Sequence, residues 1–190
     1  MTQLRPSPPP PPFPSPLTEE DFLLIRQAGY RRGAVRKVTA VAQWSAVCIL
    51  LVAVPALVVT LLSPSWVTPL MLIVTAVGVV EYIGHRKLVA GEASACRMLA
   101  INQLVLLAAI LIYCAGMIAT ADKSEVISML GEESRGLARS LGYAIYGSVA
   151  VVSIAFQGGL ALYYFRRRKV VEAYNQAVPE WIQRVFREIA

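Results

Sequence analysis

Glu81 and His85 stand four residues apart inside an apolar stretch, a spacing that puts a carboxyl and an imidazole on one face of a helix. Such a pair can pass a proton or hold a cation. Ionisable groups in apolar surroundings are costly, which makes them candidate sites by default. Four amides recur at comparable distances from basic residues. Glu81 precedes Arg86 by five residues, about 7 Å of helix, and Asn102 follows Arg97 by the same count. Folding the chain back near Gly91 therefore brings Glu81 level with Asn102 and Gln103. Gln43 is expected at a similar depth in an earlier segment, and Gln157 a little deeper in a later one.

Two chemistries fit this polar set. In one, a partly hydrated pocket binds an ion, a proton or a headgroup, with Glu81 and His85 titrating. In the other, Glu81 is satisfied by Asn102, Gln103, Arg97 or His85 and locks two helices in register. Amides between apolar helices contribute about 0.6 to 2 kcal/mol each, enough for that second role, which the sequence favours. Catalysis finds little support. His85 is the single histidine and has no Cys or Asp at zinc-ligand spacing. No GxSxG elbow or glycine-rich phosphate loop occurs. Cys48, Cys96 and Cys114 form neither a disulfide framework nor a metal knuckle. The expectation is a protein that is not an enzyme and uses no metal and no cofactor.

The elements that must position these residues follow from composition. Of 190 residues 56% are apolar and only 16% charged, against roughly 25% charged in soluble domains. A fold of this length soluble in water could not hide so much apolar surface. Spans of the required length, about 20 residues, are expected at 39–62, 68–88, 95–120 and 141–165. The fold class predicted is an all-α integral membrane protein, an antiparallel transmembrane bundle of four helices with short amphipathic surface helices at both ends. Pro55 lies within the first span.

The flanks complete the domain plan. Residues 1–17 form a Pro-rich tail with a polyproline II bias, unable to join a packed core and read as disordered. Residues 18–37 hold a surface helix capped by Thr18, with Glu19, Glu20 and Asp21 in its first turn, ending near Gly29 before a basic segment. The membrane domain occupies 38–165. In its outer connection, Asp122 and Glu125 resemble a capping pair for a short helix that Gly131 stops. In the basic tail 166–190 the fourth helix can continue through Val170 to Gln176 until Pro179 restarts it, and the restarted helix has Trp181, Ile182, Val185, Phe186 and Ile189 on one face, suited to a membrane surface or to packing under the bundle or on a partner protein.

Charge sets orientation and partners. The net charge is +6, but the basic residues flank apolar runs and build no soluble basic face, so nucleic acid is not expected. Most of the 18 Lys and Arg fall before the first span, between the second and third, or after the fourth; the exceptions are Lys123, Arg135 and Arg139. Both termini are therefore placed in the cytoplasm. Arg31, Arg32, Arg36 and Lys37, with Arg166, Arg167, Arg168 and Lys169, are expected to fix topology and meet anionic headgroups. Small residues Ala155, Gly158 and Gly159 offer a helix-packing face. Short connections and the lack of a recognisable signal peptide fit a bacterial inner-membrane protein.

In layout the chain resembles many tetraspan proteins, the MARVEL-type group among them; the likeness implies four spans and carries no functional residue. The function expected is a non-enzymatic scaffold or accessory subunit, partnered by the lipid bilayer and by a second copy or another membrane subunit. The alternative is a small transporter, channel or lipid-binding protein built around Glu81.

Overall fold

The structure, a computed structural model, describes residues 17–63, 67–120 and 132–188. Among them it is all-helical. The helices are α1 (Glu19–Leu62), α2 (Thr68–Val89), α3 (Ser94–Thr120), α4 (Glu132–Ala177) and α5 (Glu180–Glu188). The first four are long and apolar enough to cross a membrane. The expected tail over 1–16, the helix between Asp122 and Gly131, and Ile189 lie outside the described residues.

α1 begins where the sequence places a cap. Thr18 Oγ1 accepts a hydrogen bond from the Asp21 amide at 3.3 Å, and Asp21 Oδ2 accepts from the Thr18 amide at 2.9 Å. Each thus satisfies a donor that the helix start would leave orphaned. The Thr18 backbone N–H and hydroxyl hold the Asp21 carboxyl below its ordinary value of 3.8. A lowered carboxyl stabilises the fold above its ordinary value and loses that contribution as pH falls through the lowered one. Thr18→Ala should therefore speed amide exchange in the first turn about fivefold after correction for intrinsic rates, and acidification through the lowered Asp21 value should speed it in the same direction. Equal protection in both would show that the cap contributes nothing.

α1 does not stop at Gly29. It continues through Gly29 and Gly33 as one helix of 44 residues, about 66 Å long, so the expected short surface helix and the first span are a single element. Each interior glycine costs about 1 kcal/mol relative to alanine. Packing from distant residues offsets that cost: Ala28 and Val35 are buried with Tyr174, Val178 and Ile182, and Ile25 and Phe186 pack against the same cluster. α4 starts before its expected 141–165 span, at Glu132, and passes through the basic block to Ala177, close to the continuation expected as far as Gln176.

The principal contacts join α1 to α2, α2 to α3, α3 to α4, and α4 back to α1. α2 starts with a proline in its first turn, where the missing N–H has no intrahelical partner to lose. Thr68 Oγ1 donates to the Thr60 carbonyl at 3.2 Å across the turn. α2 ends in a Schellman motif: Gly91 takes φ +87°, its amide donates to the Leu88 carbonyl and the Glu92 amide to the Lys87 carbonyl. Only glycine adopts that backbone without strain.

A core at the basic end unites the four long helices through Val38, Ala42, Leu88, Ala95, Cys96, Leu99, Ala100, Tyr164 and Val171. α5 then doubles back under this core. Arg32 Nη2 donates to the Phe186 carbonyl at 2.7 Å while its guanidinium lies 4.6 Å from the Phe186 ring. Asn175 Nδ2 donates to the Gly91 carbonyl at 2.6 Å, fastening the end of α4 to the α2–α3 turn. Trp181 and Val185 stay exposed on the other side of α5.

Candidate functional site

Glu81 is 0% exposed, as is Gln103, and Asn102 is buried beside them. Asn102 Nδ2 donates to Glu81 Oε2 at 2.8 Å and to the Val77 carbonyl at 2.9 Å. Gln103 Nε2 donates to Glu81 Oε1 at 2.9 Å and lies 3.2 Å from Ser45 Oγ. The third donor comes from α4, where the Tyr164 hydroxyl donates to Glu81 Oε1 at 3.0 Å. One carboxyl on α2 thereby collects three donors from α3 and α4, and the Gln103 amide extends the set to Ser45 on α1. Buried polar groups persist only when hydrogen-bonded, and this carboxyl meets that condition with neutral donors alone. Among the described residues no Lys, Arg or His nitrogen forms an ion pair with Glu81.

Two glycines on α2 let the neighbours come close enough to make these bonds. Gly78, Glu81 and Gly84 are all buried. A Cβ on Gly78 would sit 2.7 Å from Leu50 Cδ2 of α1, and a Cβ on Gly84 would overlap the Leu99 side chain of α3. The glycines bracket Glu81 by three residues on either side, so close approach to α1 and to α3 is built in on either side of the carboxyl. Small residues serve helix contacts in apolar surroundings in this way.

The structure brings Glu81, Asn102 and Gln103 together and separates the other expected members. His85 is half-buried, and its Nδ1 lies 3.0 Å from the Thr39 carbonyl of α1; among the described residues it makes no hydrogen bond to Glu81. Gln43 is exposed. Successive helical residues are about 100° apart, so with Ala42 and Ala46 buried and Ser45 turned toward Gln103, Gln43 faces away. Gln157 shares the face of Tyr164 but lies two turns along α4, about 10 Å off. Its Oε1 is buried without a partner among the described residues, as is Gln103 Oε1.

The expected packing face of α4 is left uncovered within the bundle. Ala155 and Gly159 are exposed and Gly158 is half-buried, and a Cβ on either glycine would meet nothing within 4 Å. Among the described residues they make no close approach, whereas Gly78 and Gly84 do. Among the basic residues, Arg31, Arg36, Lys37, Arg166 and Lys169 are exposed. Arg32 is instead engaged with Phe186, and Arg168 Nε pairs with Glu172 at 2.7 Å. Tyr164 and Ser45 were not singled out from the sequence; the signal for Tyr164 was its hydroxyl-bearing ring just inside the basic block.

No group of three or more potential metal ligands occurs among the described residues. Chemically, the arrangement can hold one carboxyl in a fixed position and couple three helices to it. In comparison with known proteins, the chain matches no family, no curated protein and no solved structure.

Proposed function

We propose that this chain is an integral membrane protein, its four long helices forming an antiparallel bundle across a bacterial inner membrane with both termini in the cytoplasm. Its role in this reading is that of a non-enzymatic scaffold or accessory subunit in a membrane assembly. Support for the membrane comes from the outward surface. Leu51, Val52, Leu62, Ile112, Val151 and Val152 are each more than 60% exposed, an apolar surface far beyond what soluble monomers present. Lipid accommodates it, because each helix satisfies its own backbone hydrogen bonds. Support for the antiparallel order comes from pairs such as Thr60 with Thr68 and Thr39 with His85, and Val77 with Asn102.

The observation that carries the scaffold role is the closure of the Glu81 set. A transport site must exchange its cargo with water, whereas Glu81 is sealed and its oxygens are occupied by donors from two other helices. A polar lock of this kind fixes register and holds the outer surface ready for a partner. One feature favours the alternative of a proton or cation carrier: the carboxyl has no cationic partner among the described residues.

Proteoliposomes separate the two. For a scaffold, vesicles containing the full chain leak protons and monovalent cations no faster than empty vesicles, and mild detergent extracts the chain with a stoichiometric second copy or subunit. A flux present in the wild type and lost in Glu81→Gln would overturn the scaffold reading in favour of the carrier.

A further inference from the structure

Outside the Glu81 set, one face of α4 combines features that the scaffold role does not use. Gly159, Leu162, Tyr163, Arg166, Arg167 and Val170 line a shallow open groove on the surface. Their spacing of three, four, seven, eight and eleven residues from Gly159 keeps them on one side of the helix. The groove is apolar and notched at one end, where Gly159 has no side chain and Leu162 is 50% exposed. It is cationic at the other. Arg167 lies 5.3 Å over the Tyr163 ring, which holds its guanidinium in place. No carboxylate pairs with Arg166 or Arg167 among the described residues, whereas the adjacent Arg168 is neutralised by Glu172.

We infer that this face binds one anionic phospholipid, its phosphate between the Arg166 and Arg167 guanidinium groups and an acyl chain laid over Leu162 into the Gly159 notch. A free anion would use only the cationic end. A second copy is the other candidate occupant. In a dimer symmetric about the membrane normal, however, parallel α4 helices would bring one arginine block against the other, and like charges repel. An anionic lipid satisfies both ends at once: guanidinium forks match phosphate oxygens in bidentate geometry, and the hydrocarbon covers a surface that water cannot. Tyr163, at the junction, has the amphipathic ring favoured at headgroup level.

The inference rests on the membrane reading, so the experiment reports on each separately. The purified full chain, delipidated in mild detergent, is titrated with dioleoylphosphatidylglycerol or dioleoylphosphatidylcholine, and bound lipid is counted by native mass spectrometry. The wild type should bind one phosphatidylglycerol at least about tenfold more tightly than phosphatidylcholine, the scale of two basic groups at a membrane surface. Arg166→Gln/Arg167→Gln should bring the two lipids to equal affinity. Gly159→Leu should weaken phosphatidylglycerol several-fold with both charges intact, and Arg168→Gln should change neither. Retained preference in the double arginine variant overturns the site. So does a wild type that binds no lipid but runs as a dimer dissociated by Gly159→Leu, since the groove would then seat a second copy. A chain that stays monodisperse without detergent would sink the membrane reading itself.

Discussion

Glu81→Ala should lower the unfolding temperature of the detergent-solubilised chain more than any other substitution of a single polar residue, at a cost of ~3 kcal/mol or more. The magnitude follows from what is left behind. Asn102 Nδ2 and Gln103 Nε2 each lose one partner, and the Tyr164 hydroxyl loses the one side-chain acceptor it has among the described residues. All three lie in a region where water cannot replace the carboxylate. A buried donor stripped of its acceptor costs more than the bond contributed when made. Tyr164→Phe alone should cost about 1 kcal/mol, because it removes the donor and leaves Glu81 two others. Combined with Glu81→Ala it should add little, as the hydroxyl it deletes is already unpaired. Size-exclusion profiles after graded heating would measure the series. If Glu81→Ala melts with the wild type, the polar set carries no stability and the lock is wrong.

The second large effect is steric. Gly84→Val should prevent accumulation of folded chain, and Gly84→Ala should destabilise by ~1 to 3 kcal/mol, the usual range for overpacking. The first atom of any side chain at position 84 meets Leu99, which is itself fully buried. Pushing α3 away would also draw Asn102 and Gln103, less than two turns further along it, off the Glu81 carboxyl. Leu99→Ala opens the space, so Gly84→Ala added to Leu99→Ala should cost almost nothing. Gly159→Ala, where nothing lies within 4 Å, should leave the melting temperature unchanged. Additive losses in the Gly84/Leu99 pair would show that the two positions do not meet.

How much of this was legible depends on whether a feature is set locally. α2 and α3 begin and end within about a residue of the apolar segments at 68–88 and 95–120, because hydropathy and the Gly91 turn are properties of neighbouring residues. α1 outruns its segment because Ile182 and Phe186 cover Ala28 and Val35 from the far end of the chain, and no local pattern announces that; the run of α4 past the basic block to Ala177 is local and was expected to about Gln176. Glu81, Asn102 and Gln103 could be matched by counting residues from the turn. Ser45 rather than Gln43, and Tyr164 rather than Gln157, depend on which way each helix is rotated about its axis. Depth alone is blind to rotation, and a polar amide attracts notice that a tyrosine hydroxyl does not. The role of Gly78 and Gly84 was hidden for a related reason: glycine is frequent in apolar helices, and only the facing Leu50 and Leu99 give those two a purpose.

The contact between Arg32 and Phe186 joins residues 154 positions apart. At synthesis rates of about 5 to 20 residues per second, the inner side of the first helix waits roughly eight to thirty seconds before its cover is made. During that interval Ala28 and Val35 must rest on something else, whether the headgroup layer or a chaperone. The closing of this clasp is therefore a late event in the biogenesis of the chain, one that a ribosome stalled before residue 174 would withhold.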